Sequence, residues 1–412
     1  MVQYTEHTLK NGLKLIVHQD RNAPIVCLNL LYKVGSRNED PHKTGFAHLF
    51  EHLMFGGSKH IQNFDEPLQQ VGGENNAFTS PDITNYYITI PSNNVETAFW
   101  LESDRMLGLS FDPKVLEVQR KVVIEEFKQR YLNQPYGDLW LKLRPLAYKV
   151  HPYQWATIGK EIKHIEDATM DDVKAFFGRF YDPSNAVLVV AGDISEERAL
   201  ELTEKWFGPI PSNGPVEQQL PAEPRQEESR FLEIKNDVPA SAIYKAYHMP
   251  GRMGKDYHSA DLMSDLLGRG KSSILHQRLV NDLHWMSSVS AYVTGSVDPG
   301  LLTITGKVNE GQDMEKVNQE IEAILDRTLN KSLDADSVQK LKNQAEATMV
   351  FSETELLNRA MGLAYANFLG ETNLINDELD IVKSVTGEDM INMAREVIRP
   401  SNCSTIYYLQ DN

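Results

Sequence analysis

The strongest constraint on this chain is that it repeats itself. Thr169, Asp172, Pro183, Ser184 and Asn185 stand in DATMDDVKAFFGRFYDPSNAVLVVAGD, and Thr386, Asp389, Pro400, Ser401 and Asn402 stand in VTGEDMINMAREVIRPSNCSTIYYL at the end of the chain. Each later residue follows its counterpart by the same 217 positions. In both copies Thr can cap a helix, Pro-Ser-Asn can stop it, and a β-rich run follows. Such caps and turns are common singly, but five identities in register beside a mid-chain break point to duplication. The break is Gly208 to Ser229, GPIPSNGPVEQQLPAEPRQEES, whose five prolines and missing apolar periodicity predict an extended linker. The expected organisation is a first domain at 1–207, a linker at 208–229 and a related second domain at 230–412.

With 41% apolar and 24% charged residues among 412, each half can bury a core of its own. No window approaches the roughly 18 uninterrupted apolar residues of a spanning helix. The opening MVQYTEHTLKNGLKLIV lacks the basic, apolar and small-residue regions of an export signal, so the expected compartment is cytoplasmic, or periplasmic if a signal peptide has been removed. Cys27 and Cys403 are the only cysteines, which leaves any metal to His and carboxylates. A net charge of -17 works against a nucleic-acid binder, because phosphate contacts need a basic footprint.

TLKNGLKLIVHQD reads as strand, Asn11-Gly12 turn and strand, and PIVCLNLLYKVGS as a further buried strand. Helical patterns cover Gly45 to Phe55, Asn94 to Leu109, Pro113 to Tyr131 and Met170 to Tyr181. This mixture predicts an α+β protein of two related halves, each a mostly antiparallel sheet with helices packed on one face.

TGFAHLFEHLMF carries the chemistry. His48 and His52 are four apart, one helical turn on one face, so both imidazoles can reach one ion, and Glu51 falls on that side too. Zinc-assisted hydrolysis requires that set: two neutral nitrogen ligands, and a carboxylate that binds no metal but takes a proton from the attacking water. A solvated helix can carry the same residues without a metal. A third protein ligand must come from elsewhere, and PKVLEVQRKVVIEEFKQRY offers Glu117, Glu125 and Glu126, among which spacing alone does not choose. Imidazole favours zinc over magnesium or calcium, while manganese and cobalt suit the same donors.

HLFEH followed by QRKVVIEE resembles the inverted-zincin peptidases of the pitrilysin, insulinase and mitochondrial processing peptidase family (M16). The resemblance implies one zinc per chain held by His48, His52 and Glu126, with Glu51 as the catalytic base. Gln119 stands where the family often has a supporting outer Glu, a departure that bears on ligand orientation. GGENNAFTSPDITNYY is similar to the family's N-A-x-T segment, which implies that Asn76, Ala77, Phe78 and Thr79 form a sheet edge along which an extended peptide pairs. An ordinary hairpin is the plainer reading of the same residues. Length matches the family's short, two-subunit branch.

The second half departs from the pattern. Active short-branch relatives are expected to carry a substrate-binding Arg and Tyr after S-S-x-L-x-Q-x-L; in SSILHQRLVNDLHWMSS those positions hold Val280 and Ser287, which cannot replace them. SADLMSDLLGRGKSS, the copied helix, has no His pair. The resemblance therefore implies a zinc endopeptidase subunit, cleaving extended or unfolded peptides in a chamber, completed by a related non-zinc subunit that carries the Arg/Tyr pair. The heterodimer is the expected assembly and a homodimer the alternative. Two rival readings are a non-catalytic assembly subunit and a peptide-binding holdase. His151 reads as a packed loop histidine, and His42 and His60 flank the helix off its ligand face.

Overall fold

The computed structural model describes residues 1–411. Their β-branched and aromatic runs form two sheets. The first contains β1 (Thr5–Thr8), β2 (Lys14–Gln19), β3 (Ile25–Tyr32), β4 (Glu74–Thr79), β5 (Thr84–Pro91) and β6 (Ala186–Gly192) in the order β1-β2-β6-β3-β5-β4. The second contains β7 (Arg230–Asn236), β8 (Ala242–Met249), β9 (Met286–Val293), β10 (Gly300–Val308) and β11 (Cys403–Gln410) in the order β7-β11-β8-β10-β9. Apart from β1 the two orders are the same. Each has one parallel pair, β2 with β6 and β7 with β11, and every other pairing is antiparallel.

Atomic detail repeats as well. Thr169 and Asp172 form a reciprocal capping box at the start of helix Met170–Phe180, and Thr386 and Asp389 do so for helix Gly387–Val397. Pro-Ser-Asn makes a short 3₁₀ turn in both copies. The buried amides of Asn185 and Asn402 donate to the Phe180 and Val397 carbonyls, each at 2.8 Å, tying off the helix just ended. The protein is thus α+β in two related halves.

Packing follows the period-two alternation of the strands. Contacts divide the chain into two compact units: 1–129, 155–220 and 350–377 form one, and 130–154, 221–349 and 378–412 the other. Along the chain all strands of the first sheet precede those of the second, while 130–154 and 350–377 each belong to the unit of the other sheet. In the first unit helices Val95–Leu107 and Glu196–Trp206 pack on the sheet. Ala360, Leu363 and Ala364 of helix Leu356–Phe368 meet Ile16, Cys27, Leu31, Val187 and Val189. In the second unit Ile243, Tyr247, Leu302 and Ile304 join the core made with helices Tyr257–Gly268, Met314–Leu329 and Gly387–Val397. The alternate residues Ala242, Tyr244, Ala246 and Tyr408 receive Leu139, Leu143 and Ala147 of helix Leu139–Ala147. The principal helical layer therefore lies on one face of each sheet, and the traded segment adds one helix to the other. Full burial of a side chain such as Leu143 contributes about 1.5–3 kcal/mol.

The second unit carries histidines held neutral. Burial lowers the pKa of His248 from 6.5, against the opposing effect of its hydrogen bond to the Ala147 carbonyl at 2.9 Å. Burial, and then the Arg252 guanidinium, lower His258 in the same direction. Both groups bind protons more readily in the unfolded chain, so their stabilisation is present above about pH 6.5 and is lost as pH falls through that value toward the lower folded pKa. Calorimetric unfolding should show a melting temperature that drops from pH 7.5 to 5.5, and His248→Gln, which keeps a donor and cannot titrate, should reduce that slope.

Candidate metal centre

Helix Phe46–Leu53 has only eight residues and is held at both ends. Gly45 precedes it at φ 87°, and a Cβ there would lie 2.6 Å from the Ile158 carbonyl oxygen, so glycine is required. The buried Glu39 carboxyl accepts the Gly45 and Ala47 N–H groups at 2.9 and 2.8 Å and the Trp155 indole N–H at 3.1 Å. It thereby satisfies amides that a helix start leaves unpaired. Burial pushes Glu39 up to about 8, against the lowering effect of these donors. Beyond the other end, Phe55 joins Phe64 and Tyr86 around the Arg105 guanidinium, whose carbon lies 5.3, 4.4 and 4.5 Å from the three ring centroids. Arg105 is wholly buried and its Nε donates to Glu102 at 2.7 Å. Phe46, Leu49, Phe50 and Leu53 fill the core, and the Phe50 ring packs 4.8 Å from Phe176 and 5.1 Å from Tyr181.

The remaining stripe presents His48 and His52, their rings 4.9 Å apart and nearly perpendicular. Glu126, in the last turn of helix Pro113–Phe127, brings Oε2 to 3.6 Å from His48 Nε2 and 3.3 Å from His52 Nε2. One ligand atom from each of the three lies within 4.8 Å of the others. Donors sharing one tetrahedral zinc at 2.0–2.1 Å stand about 3.3 Å apart, close to the separations of Glu126 Oε2 from the two imidazoles, so the donor set suits such an ion. The other two candidates are occupied. Glu117 pairs with Arg120 and Lys121, and the exposed Glu125 pairs with Lys128 at 2.7 Å.

Glu51 accepts the Thr79 hydroxyl at 2.6 Å. Thr79 ends β4, the outermost strand of its sheet, where Asn76 and Phe78 are exposed and Ala77 and Thr79 are half-buried. The Ala77 amide donates to the Asn76 side chain at 2.8 Å. Gln119 is half-buried on the Glu126 helix. His60 pairs with Asp104 at 2.6 Å and the buried His151 with Asp298 at 3.2 Å, while Val280 packs against the second unit's core. Glu39, Trp155 and Arg105 were not foreseen. Gly45, directly before the helix that carries the His pair, was the one local signal of a constrained helix start.

The family profile described as Insulinase (Peptidase family M16) matches residues 14–145, and that described as Peptidase M16 inactive domain matches residues 167–345. The chain is 31% identical to zinc protease PqqE of Helicobacter pylori over 97% of its own length and 91% of that protein. It is 27% identical to mitochondrial-processing peptidase subunit beta of Saccharomyces cerevisiae, covering 65% of this chain and 58% of that one. The crystal structure of a protease from Helicobacter pylori superposes with a TM-score of 0.93 at 28% identity, covering 99% of this chain and 100% of that one. The chain belongs to the insulinase, or M16, peptidase family. No helix among the described residues is long and apolar enough to cross a membrane.

The buried ion pair behind the site is expected to be costly to break. Arg105→Ala leaves Glu102 buried without its partner and should destabilise the protein by about 3–5 kcal/mol, measured by urea denaturation.

Proposed function

We propose that the chain is a zinc-dependent metalloendopeptidase subunit that hydrolyses extended or unfolded peptides. The observation that carries this reading is the convergence of His48, His52 and Glu126, with Glu51 one position before His52 and hydrogen-bonded to the outermost strand. Zinc bound there would polarise the scissile carbonyl as a Lewis acid. Glu51 accepts a proton from the attacking water and returns it to the departing amine. Thr79 orients the Glu51 carboxylate, and β4 offers its free side at Asn76 to Thr79 to a substrate strand, so the peptide is read through its backbone.

The partner in this reading is a related M16 subunit with an Arg/Tyr pair, because Val280 lacks a donor and Ser287 lacks the reach of a phenol. The same two residues favour the rival reading, a non-catalytic assembly or peptide-binding subunit. A homodimer would combine two copies with the same deficiency.

A quenched-peptide assay of the chain alone, then with a related subunit, each with and without chelator, tests the proposal. Chelator-sensitive turnover that rises in the mixture supports it; absence of turnover and of stoichiometric metal in both arms rejects it. Glu51→Gln should keep its zinc and lose about 10²–10⁴-fold in kcat. Glu126→Gln should lose metal by elemental analysis, and zinc content equal to the parent's would remove Glu126 from the ligand set.

A further inference from the structure

Wholly within the second unit, a cleft of about 480 Å³ opens between the end of helix Tyr257–Gly268, the segment Ser272–Ile274, and helices Met314–Leu329 and Ala335–Ser352. Arg269, Arg278, Arg327, Lys331 and Lys340 line it. In a chain of net charge -17, five cations around one small cleft are a local reversal of sign. The nearby carboxylates do not cancel them. Arg278 and Arg327 share the carboxylate of Glu320, at 3.0 and 2.9 Å, Arg278 has a second, longer pair with Asp282 at 3.9 Å, and Arg269 takes Asp265 at 2.9 Å. Asp334 already accepts the Ser337 N–H at 2.8 Å as a helix cap. Lys340 donates to a neutral partner, the Ser272 hydroxyl, at 2.5 Å, and Lys331 makes no ion pair among the described residues. Five positive groups thus face four negative ones, which leaves the cleft net positive.

We propose that this cleft is a binding site for a small, phosphate-rich anion. Guanidinium forks, ammonium groups and serine hydroxyls are the donors that match phosphate oxygens. The cations come from separate chain segments on different sides of the cleft, an arrangement that suits a ligand with several charges rather than a single carboxylate. The volume suits a small molecule. A long nucleic acid is disfavoured, because beyond the cleft it would meet a strongly acidic protein. The site uses none of the residues of the metal centre and does not depend on peptidase activity.

The probe is tripolyphosphate, titrated calorimetrically into the full-length chain in chelator and about 150 mM salt, so that metal binding by the phosphate contributes nothing and weak surface attraction is screened. Saturable binding with one site per chain is expected. Lys331→Ala combined with Lys340→Ala, both exposed and therefore compatible with folding, should weaken it about tenfold, an effect the size expected for losing two ionic contacts. Glu320→Gln, which removes the shared carboxylate of Arg327 and Arg278 and leaves Arg278 only the longer pair with Asp282, should tighten it. No saturable heat above that of sodium chloride at matched ionic strength would overturn the assignment, as would affinity unchanged in the double lysine variant.

Discussion

Everything at the metal centre rests on holding an eight-residue helix still. Isolated helices below about 12–15 residues are marginal in water, so Phe46–Leu53 cannot fix two imidazoles by its own hydrogen bonds. Its position is imposed from outside. Glu39 and Trp155 secure the first turn, Phe50 sits among the Phe176 and Tyr181 rings, and the chain leaves the helix through Phe55 onto a buried guanidinium. Each support comes from a different stretch of sequence. The histidine spacing is local, whereas the rigidity that makes the spacing useful is tertiary.

Duplication explains how one half can be specialised while the fold stays balanced. The two sheets share strand order and pairing sense, and both use the same capped helix and Pro-Ser-Asn turn to enter the central strand. Those shared features are the ones that set topology. What differs most lies on the helices: the first copy places the half-buried His48 and His52 beside Glu126, whereas Tyr257–Gly268 is mostly buried and carries Asp261 and Asp265, both raised in pKa by burial. A common scaffold tolerates such divergence because helix faces can change without disturbing the strand ladder.

The parts of the structure readable from sequence were those governed by short-range periodicity. The four-residue spacing of the histidines, the capping boxes at Thr169 and Thr386, and the apolar strands all follow from geometry within one element. Choosing among Glu117, Glu125 and Glu126 was different. All three suit an amphipathic helix, and only the packing of that helix against its neighbour brings Glu126 to the imidazoles and leaves the others to nearby cations. The trading of 130–154 and 350–377 was hidden for a related reason. Amphipathic stretches such as Leu139–Ala147 and Leu356–Phe368 announce an apolar face but do not say which sheet receives it. Glu39 was equally silent, since a carboxylate several residues before a helix looks like any solvated acid until folding buries it.

Thr79 links the two functions expected of the first half in one hydrogen bond. It belongs to the edge strand that the proposed function offers to an extended peptide, and its hydroxyl is spent on Glu51 of the helix bearing both histidines. Side chains alternate across a strand, so a slip of β4 by one residue against β5 would turn Thr79 away from Glu51 and bring its neighbours to the wrong faces. The register of the outer strand and the position of Glu51 are therefore a single geometric quantity. An edge held only by its ladder could shift when another strand paired with it, but this edge is also pinned from the side by a short hydrogen bond to the helix bearing both histidines. In the proposed function, strand addition and proton transfer would be coupled through that contact, which gives the hydroxyl at position 79 a role that a sequence motif describing the strand alone does not convey.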